Sequence, residues 1–397
     1  MMHRLRPRLI VLALALVWPG LAAGQAVAIV DGEVHTGTGE VLAGATVVIE
    51  GGKITAVGAG VEPPDGAEVI AAEGMVVTPG FIDAQTFLGS GPTTGGALIN
   101  LVGEAGDAIA PQLRAVDRFA EGLAPLWLQS GVTAVYLAPD PRLLIGGTGA
   151  VVKLAGSADT AIVAEETAVA ASFGETAVGD TAPGREAPVG RTTRQGMIYD
   201  FRSTLIRAGE DALEGQAAGV MGRLLSGELP LRMLANKPDD IETALRVAGE
   251  FDVRLVLDQA AGAAAVAPRL AAAGVPVVVG PSIIGIGDGG PMELKGHSPA
   301  TAGVLHEAGV KLALSTFGSR GRSVAMEAIV AWAHGLPREA ALGAVTADSA
   351  AILGVDGRIG SLAVGLDGDV VIWDSHPIGT YAKTVAVLVD GAVVFSR

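Results

Sequence analysis

The feature that most limits the fold of this chain is a helix pattern followed by a short apolar strand, repeated through the middle of the sequence. "DDIETALRVAGEF" (residues 239–251) places Ile241, Ala244, Leu245 and Ala248 on one helical face, and the strand-like run "VRLVL" follows it. The same order recurs in "AAAVAPRLAAAG" before "VPVVVG" and in "TAGVLHEAG" before "VKLAL". Strands that are apolar on both faces and alternate with helices predict a parallel sheet covered by helices.

This alternation extends from about residue 79 to about residue 357, and that length fits a closed barrel better than an open sheet. We expect Asp239 to be the N-cap of the first helix quoted above, with Glu242 three residues later. Residues 155–200 lack a clear period and are rich in glycine, alanine and threonine. They predict a long loop over one barrel face.

Both ends of the chain have the pattern of β-structure instead. Near the N-terminus, "AVAIVDGEV", "GATVVIEGGKITAVG" and "AEVIAAEGMVV" are strand-like runs with Asp-Gly and Gly-Gly turns. Near the C-terminus, "GDVVIWD" and "VAVLVDGAVVF" repeat this pattern. The sequence therefore predicts an α/β protein whose two ends carry short strands.

The first residues of the chain have the pattern of an export signal. Three arginines and a histidine precede the apolar run "LIVLALALVW", and the small residues "LAAG" follow it. The apolar run is too short to span a hydrocarbon layer of about 30 Å comfortably. We therefore expect a signal peptide at residues 1–24 and an exported, periplasmic or secreted protein that has no contact with the membrane after cleavage.

Composition excludes several other classes of protein. Half of the residues are hydrophobic and 17% are charged, which is enough apolar material for a large core. The formal net charge of -15 argues against a nucleic-acid partner, because such proteins need a basic face. The chain contains no cysteine, so disulfides and thiolate metal sites are excluded.

Several short motifs together resemble those of one known family. They include "VTPGFIDA" (residues 77–84), "GVTAVYLAP", "LIGGTGAVVKLAG" and "DGRIGSLAVGLDGDVVIWD". With them, the chain resembles the amidohydrolase superfamily, nearest to its exported, imidazolonepropionase-like branch. The resemblance implies a TIM-type (β/α)8 barrel at residues 79–357 and a small composite β-sandwich built from residues 25–78 and 358–397.

The resemblance also implies hydrolysis of a carbon–nitrogen bond other than a peptide bond, and a metal site at the barrel mouth. Divalent metals there polarise a carbonyl and lower the pKa of bound water toward ~7. In this sequence the positions where the family has metal ligands are Gln85, Phe87, Leu234, Gln259 and Phe317. None of these side chains replaces an imidazole or a carboxylate ligand, so we expect no metal and no cofactor.

The distribution of histidines supports this expectation without a detailed alignment. The six histidines stand at positions 3, 35, 297, 306, 334 and 376, so none lies between residues 35 and 297. No shift of register therefore restores the ligand set. For each histidine we expect a solvated or capping imidazole, and for Lys153 an ordinary interior or rim lysine.

Other polar residues near the former site would line a pocket: Asp83, Asn236, Asp258, Arg320 and Arg322. We expect Asp83 to have a structural hydrogen-bonding role, although with Asp258 it would make a weak oxygen site for calcium or magnesium. Arg320 and Arg322 lie in the loop "GSRGRS", which either binds an anion or is solvated and caps the next helix.

Two functions follow, and both remain open at this point. The first is a pseudoenzyme with a binding or assembly role, whose partners would be a small-molecule ligand, a catalytic relative of the family or a second copy of the chain. The second is an active hydrolase of a cyclic amide or similar C–N bond that uses an atypical site. The residues at the ligand positions should converge at one barrel mouth, with Phe87, Leu234 and Phe317 as an apolar plug. We expect Gln85 and Gln259 to pair with the backbone or with each other.

Overall fold

The computed structural model describes residues 26–87, 107–119, 125–156, 158–174, 177, 193–282, 297–317, 323–379 and 382–397. The predicted signal peptide, residues 1–24, lies outside these ranges. Within them, no helix is both long enough and apolar enough to cross a membrane.

Strands from both ends of the chain form one eight-stranded sheet. Its strands are β1 (Val27–His35), β2 (Val41–Glu50), β3 (Lys53–Ala59), β4 (Glu68–Ala71), β5 (Val76–Pro79), β14 (Val370–Trp373), β15 (Thr384–Val389) and β16 (Ala392–Ser396). Their order in the sheet is β16-β15-β14-β5-β1-β2-β3, with β4 paired to β1. β14 joins the two ends because it pairs antiparallel with β5, Ile372 opposite Val77. The N-terminal and C-terminal strands therefore share one sheet.

The middle of the chain forms a second eight-stranded sheet, in the order β13-β12-β11-β10-β9-β8-β7-β6. Its strands are β6 (Phe81–Thr86), β7 (Val132–Leu137), β8 (Ile145–Lys153), β9 (Ile162–Ser172), β10 (Leu231–Leu234), β11 (Leu255–Gln259), β12 (Val277–Val279) and β13 (Leu312–Leu314). The sheet follows sequence order and is nearly closed into a barrel. Together with its helices, the two sheets give the protein a mixed α/β fold.

One strand of this sheet departs from the expected (β/α)8 order. β9 to β13 are parallel neighbours, as are β6 and β7, but β8 runs antiparallel to both β7 and β9. Residues 138–144, between β7 and β8, are too few for the crossover that a parallel neighbour requires. The motif "LIGGTGAVVKLAG" therefore forms part of a β-meander instead of a βαβ unit.

The helices lie where the sequence period predicts them in the second half of the chain. The α-helices span Pro125–Leu128, Ala158–Ala161, Arg194–Gly209, Gly215–Leu225, Pro238–Glu250, Ala267–Ala273, Thr301–Glu307, Val324–Ala333, Arg338–Gly343 and Ala347–Leu353. Short 3-10 helices span Ala115–Arg118 and Ala263–Val266. Helices precede β11, β12 and β13, as the helix-then-strand pattern predicts.

The N-cap expected for one of these helices is wrong. Helix Pro238–Glu250 has Lys237 at the N-cap, and Asp239 lies inside its first turn. The helix starts earlier because the fixed φ of Pro238 suits the first helical position. Asp239 and Asp240 still favour the helix, since acidic groups near its N-terminus interact well with the backbone dipole.

The loop expected over residues 155–200 is also wrong in part. Ala158–Ala161 is helical, Ile162–Ser172 forms the eleven-residue strand β9, and helix Arg194–Gly209 begins inside the segment. Alanine and threonine obscured the strand, because its partly buried face carries few large apolar side chains. Residues 175–176 and 178–192 lie outside the described part of the chain.

A buried lysine connects the two sheets. Lys153 at the end of β8 is fully buried, and its Nζ lies 2.9 Å from Asp367, 2.9 Å from Asp369 and 2.5 Å from Asp390. Burial alone lowers the pKa of Lys153, but the aspartates reverse this effect and hold it above its ordinary value. Burial raises the pKa of Asp369 to about 6, although Lys153 opposes the shift. Lys153 is therefore an interior structural lysine.

Candidate functional site

An arginine occupies the centre of the barrel sheet. Arg232 lies on β10 and Asp258 on the neighbouring parallel strand β11, where Leu234 is the register partner of Asp258. Because side chains two residues apart share a face of a strand, Arg232 and Asp258 point to the same side. Arg232 Nε lies 3.1 and 3.0 Å from the two oxygens of Asp258, and Nη2 lies 2.5 Å from Oδ1. The geometry is that of a bidentate ion pair.

The same guanidinium reaches β6 on the other side. Arg232 Nη2 donates to Gln85 Oε1 at 2.8 Å and to the carbonyl oxygen of Ala84 at 2.8 Å. Its Cζ stands 3.9 Å from the centre of the Tyr136 ring, a cation–π contact. Arg232 is 1% exposed, Asp258 3% and Gln85 4%. A fixed positive charge is thus enclosed among three strands.

Burial raises the pKa of Asp258 above its ordinary value, and the charge of Arg232 opposes that shift. The ionised form still fits the geometry best, because an arginine stays protonated in proteins and both carboxylate oxygens accept from it. A buried pair of this kind costs desolvation energy, which direct hydrogen bonds offset. Neither Asp258 oxygen is therefore free to bind a cation.

Asp83 has different partners and connects the two edges of the sheet. It lies on β6, the last strand in the sheet order, and accepts from Thr316 Oγ1 at 2.6 Å, just after β13 at the other edge. Thr316 N donates to it at 3.2 Å, and Ser315 Oγ donates to the carbonyl oxygen of Gln85 at 2.7 Å. Burial raises the pKa of Asp83 to about 7, while these hydrogen bonds act to lower it. The hydrogen bonds between Asp83 and Thr316 join the two edges of the sheet, which agrees with the hydrogen-bonding role expected for Asp83.

Amide and aromatic side chains stand at other positions where the family has metal ligands, and they contact one another. Asn236 Nδ2 donates to Gln259 Oε1 at 2.5 Å, and Asn236 Oδ1 accepts from Ala261 N at 3.2 Å. The Phe87 and Phe317 rings meet edge to face with centroids 5.2 Å apart. Gln259 and Phe317 both have positive φ, 64° and 51°, which is uncommon for residues other than glycine. Backbone of this kind clusters at functional sites.

These positions agree with the sequence expectations only partly. Phe87 and Phe317 are in contact, and Leu234 is buried. Among the described residues, the side-chain oxygens of Gln85 and Gln259 accept from the side chains of Arg232 and Asn236 instead of pairing with the backbone or with each other. Asp83 and Asp258 bind Thr316 and Arg232 and do not jointly form an oxygen site. Arg320 and Arg322 lie outside the described residues.

Among the described residues, those at the barrel centre do not fit a catalytic transition metal. Such a site needs imidazoles or free carboxylate oxygens with an open position for water. Here the carboxylates are engaged by Arg232 and Thr316, and the other ligand positions carry amide, aliphatic and aromatic side chains. A guanidinium supplies positive charge but has no coordination position at which water would ionise.

Sequence reasoning missed the central residue of this site. Arg232 interrupts the otherwise apolar run "LRML", and a charged residue inside a strand-like run was the available signal. A lone arginine in such a strand rarely stays buried without a carboxylate, so Asp258 on the next strand was a candidate partner. Tyr136, whose ring covers the guanidinium, carried no signal of its own.

Known proteins resemble the chain in sequence and in structure. Residues 249–395 match the model of the Amidohydrolase family. The curated amidohydrolase tasK of Hapsidospora irregularis is 28% identical over 401 residues, covering 88% of this chain and 40% of that protein. This chain therefore spans well under two thirds of the length of that relative.

Among solved structures, an amidohydrolase from Thermotoga maritima MSB8 is 28% identical, with a TM-score of 0.85 and coverage of 94% of this chain and 100% of that one. An adenosine deaminase from Xanthomonas campestris with bound zinc is 19% identical, with a TM-score of 0.55 and coverage of 94% and 93%. The second similarity shows the fold alone. Residues 249–395 therefore match the Amidohydrolase family, and the chain as a whole is similar in sequence and in structure to amidohydrolases.

Proposed function

We propose that this protein is a pseudoenzyme with a binding or assembly role, in which a buried arginine occupies the place of the catalytic metal. The observation that carries the proposal is the Arg232 guanidinium, held between Asp258 and Gln85 at the barrel centre. Amidohydrolase chemistry depends on a metal that generates hydroxide near neutral pH. A guanidinium keeps the local charge balanced but activates no water.

Two unsatisfied groups support a small-molecule ligand. Arg232 Nη1 and the Tyr136 hydroxyl are buried and have no hydrogen-bond partner among the described residues. Buried donors without partners cost free energy, so a ligand or water that offers an acceptor would bind there favourably. A compound with a carboxylate matches this pair of donors best.

The alternative is an active hydrolase of a cyclic amide or similar C–N bond, and one observation favours it. Asp83 is a buried carboxyl whose pKa of about 7 suits a general base at neutral pH. Against it, Asp83 is 0% exposed and its oxygens accept hydrogen bonds from Thr316. A substrate would have to displace Thr316 to reach the carboxylate.

Hydrolysis assays separate the two functions. Purified protein is incubated with cyclic amides, N-acyl amino acids and dipeptides, with and without added Zn²⁺ or Mn²⁺, beside an active amidohydrolase as positive control. We expect no turnover above the uncatalysed rate. Turnover that is lost in Asp83→Asn would establish the atypical hydrolase, and turnover that survives Asp83→Asn would contradict both proposals.

Finer assignments rest on the sequence motifs and belong to the same proposal. They are an imidazolonepropionase-like branch, a signal peptide at residues 1–24, a TIM-type barrel at 79–357, and a composite β-sandwich from 25–78 and 358–397. The shared sheet of both chain ends supports the last of these. N-terminal sequencing of exported protein should begin at Gln25, and an uncleaved N-terminus would contradict the signal.

Assembly has its own test. The proposed partners are a catalytic relative or a second copy of this chain. Light scattering on the purified protein measures self-association, and affinity purification from the native host identifies a catalytic relative. If the protein is a monomer and no amidohydrolase co-purifies with it, the assembly role is ruled out and binding of a small molecule remains.

A further inference from the structure

The structure brings together two histidines from opposite ends of the chain. His35 ends β1, His376 follows β14, and Glu339 from helix Arg338–Gly343 lies beside both. One ligand atom from each of the three residues can be chosen so that all lie within 4.8 Å of one another. The two imidazole rings meet edge to face with centroids 4.8 Å apart. None of these three residues is one of the five positions where the family has metal ligands.

The distances match those between ligands of one zinc ion. Zinc binds imidazole nitrogen and carboxylate oxygen at about 2.0–2.2 Å in tetrahedral sites, which places neighbouring ligand atoms roughly 3.3 Å apart. His35 Nδ1 lies 3.2 Å from Glu339 Oε2, and His376 Nε2 lies 3.4 Å from Glu339 Oε1. Each imidazole nitrogen therefore lies at a ligand-to-ligand distance from one oxygen of Glu339, although the two distances end on different oxygens.

The other nitrogen of His35 has the partner that a metal-binding histidine usually has. His35 Nε2 lies 2.8 Å from Glu33 Oε1. Ligating histidines commonly donate their second N–H to a carboxylate, which fixes the tautomer and leaves the opposite nitrogen free. With the proton on Nε2, the Nδ1 lone pair faces the Glu339 carboxylate, and a cation between them would remove that repulsion.

His376 has an unsatisfied ring nitrogen that lies close to the same carboxylate. Its Nε2 is buried and makes no hydrogen bond of acceptable geometry within the described residues, although Glu339 is near. His376 Nδ1 accepts from Ile378 N at 3.1 Å. Zinc bound at Nε2 would move the ring proton to Nδ1, so the Ile378 amide would have to release this nitrogen.

We propose that His35, His376 and Glu339 bind one zinc ion that links the terminal sheet to a helix of the barrel. The ion would join three segments, because its ligands come from β1, from the segment after β14 and from helix Arg338–Gly343, and three protein ligands leave the fourth position for water. Glu339 is 44% exposed at its side chain, which gives the ion a path from solvent. The proposal does not depend on the pseudoenzyme reading of the barrel centre.

Zinc titration tests the site directly. Full-length protein without a polyhistidine tag is stripped with chelator, and Zn²⁺ binding is measured by calorimetry, with Co²⁺ absorption reporting tetrahedral nitrogen and oxygen ligation. We expect one equivalent to bind, and the Tm to rise by about 2–4 °C at saturating zinc. No binding, or cobalt spectra typical of octahedral coordination, would overturn the proposal.

Matched variants locate the ion. His376→Ala and Glu339→Gln should weaken zinc binding at least tenfold, while His306→Ala, an exposed histidine elsewhere, should leave it unchanged. Glu339→Gln keeps the shape of the side chain, and circular dichroism shows whether each variant is folded. Zinc that binds equally to all three variants is held elsewhere, and that result would overturn the proposal as well.

Discussion

Replacing Arg232 with methionine tests the buried ion pair most severely. Arg232 and Asp258 are 1% and 3% exposed, and the guanidinium also serves Gln85 and the carbonyl oxygen of Ala84. Arg232→Met leaves a buried carboxylate without its cation, a loss of about 3–5 kcal/mol in the free energy of unfolding. The two other acceptors lose a donor, and each loss adds to the cost.

The chain offers a matched control on its surface. Arg202 makes a similar two-pronged contact with Glu250, at 2.6 and 2.8 Å, but both side chains are about one-third exposed. Because exposed ion pairs contribute about 0–1 kcal/mol, Arg202→Met should cost no more than that. The two variants differ mainly in the burial of the pair they break.

A double variant separates the buried charge from the lost packing. Arg232→Met with Asp258→Leu removes both charges, and the free energy of unfolding should recover most of the loss, since apolar replacement of a buried pair is often neutral or stabilising. Urea unfolding followed by tryptophan fluorescence and circular dichroism gives the values. The reasoning is refuted if Arg232→Met costs less than about 1 kcal/mol, or if the double variant is as unstable as the single one.

Three further predictions follow from other contacts. The folded-state pKa of Asp83 is about 7, above the ordinary 3.8. The stability that protonated Asp83 contributes is therefore full at low pH and is lost as the pH rises from about 3.8 to about 7, so the Tm should fall over this range. Asp83→Asn should make this fall in Tm smaller. Lys153→Met should cost about 3–5 kcal/mol because it leaves Asp369 buried without a cation, whereas Lys53→Met, at a half-exposed lysine, should cost less than about 1 kcal/mol. A double-mutant cycle of Phe87→Ala and Phe317→Ala should give a coupling energy of about 0.5–1.5 kcal/mol, and additive losses would contradict the ring contact.

The second half of the barrel was predictable because its strands are buried on both faces. β12 and β13 read as uninterrupted apolar runs, β11 begins as one, and helix Pro238–Glu250 has a clear apolar stripe. The period alone therefore predicts both the elements and their order. The start of helix Pro238–Glu250 was harder to predict, because both Pro238 and Asp239 are residue types that favour the beginning of a helix.

The β8–β9 hairpin was not predictable for a tertiary reason. Every residue of β8 is buried, yet the strand is rich in glycine because other groups approach its backbone closely. A side chain at Gly149 would meet the Tyr136 hydroxyl at 1.9 Å, and Gly147 has a φ of +92° with Leu113 O in the way of a Cβ. Because these glycines are required by contacts with residues distant in the sequence, β8 lacks the alternation of apolar and polar residues by which a strand is predicted.

For the candidate site, the sequence shows which side chains stand at the family's ligand positions, but it did not reveal the Arg232 pair. The missing histidines show in the composition of the chain, because none lies between residues 35 and 297. The Arg232 pair depends instead on the register of β6, β10 and β11, which brings three distant residues to one point. The same holds for His35 and His376, whose proximity follows from the pairing of the two chain ends.

Anomalous diffraction from crystals grown with zinc tests most directly whether a guanidinium has taken the place of the catalytic metal. Data collected at the zinc edge locate each bound ion independently of stoichiometry, so the barrel centre is judged separately from the His35 group. We predict guanidinium density between Asp258 and Gln85 and no zinc peak in contact with either. A zinc peak bound by Asp83 or Asp258, with Arg232 displaced, would contradict the proposed pseudoenzyme.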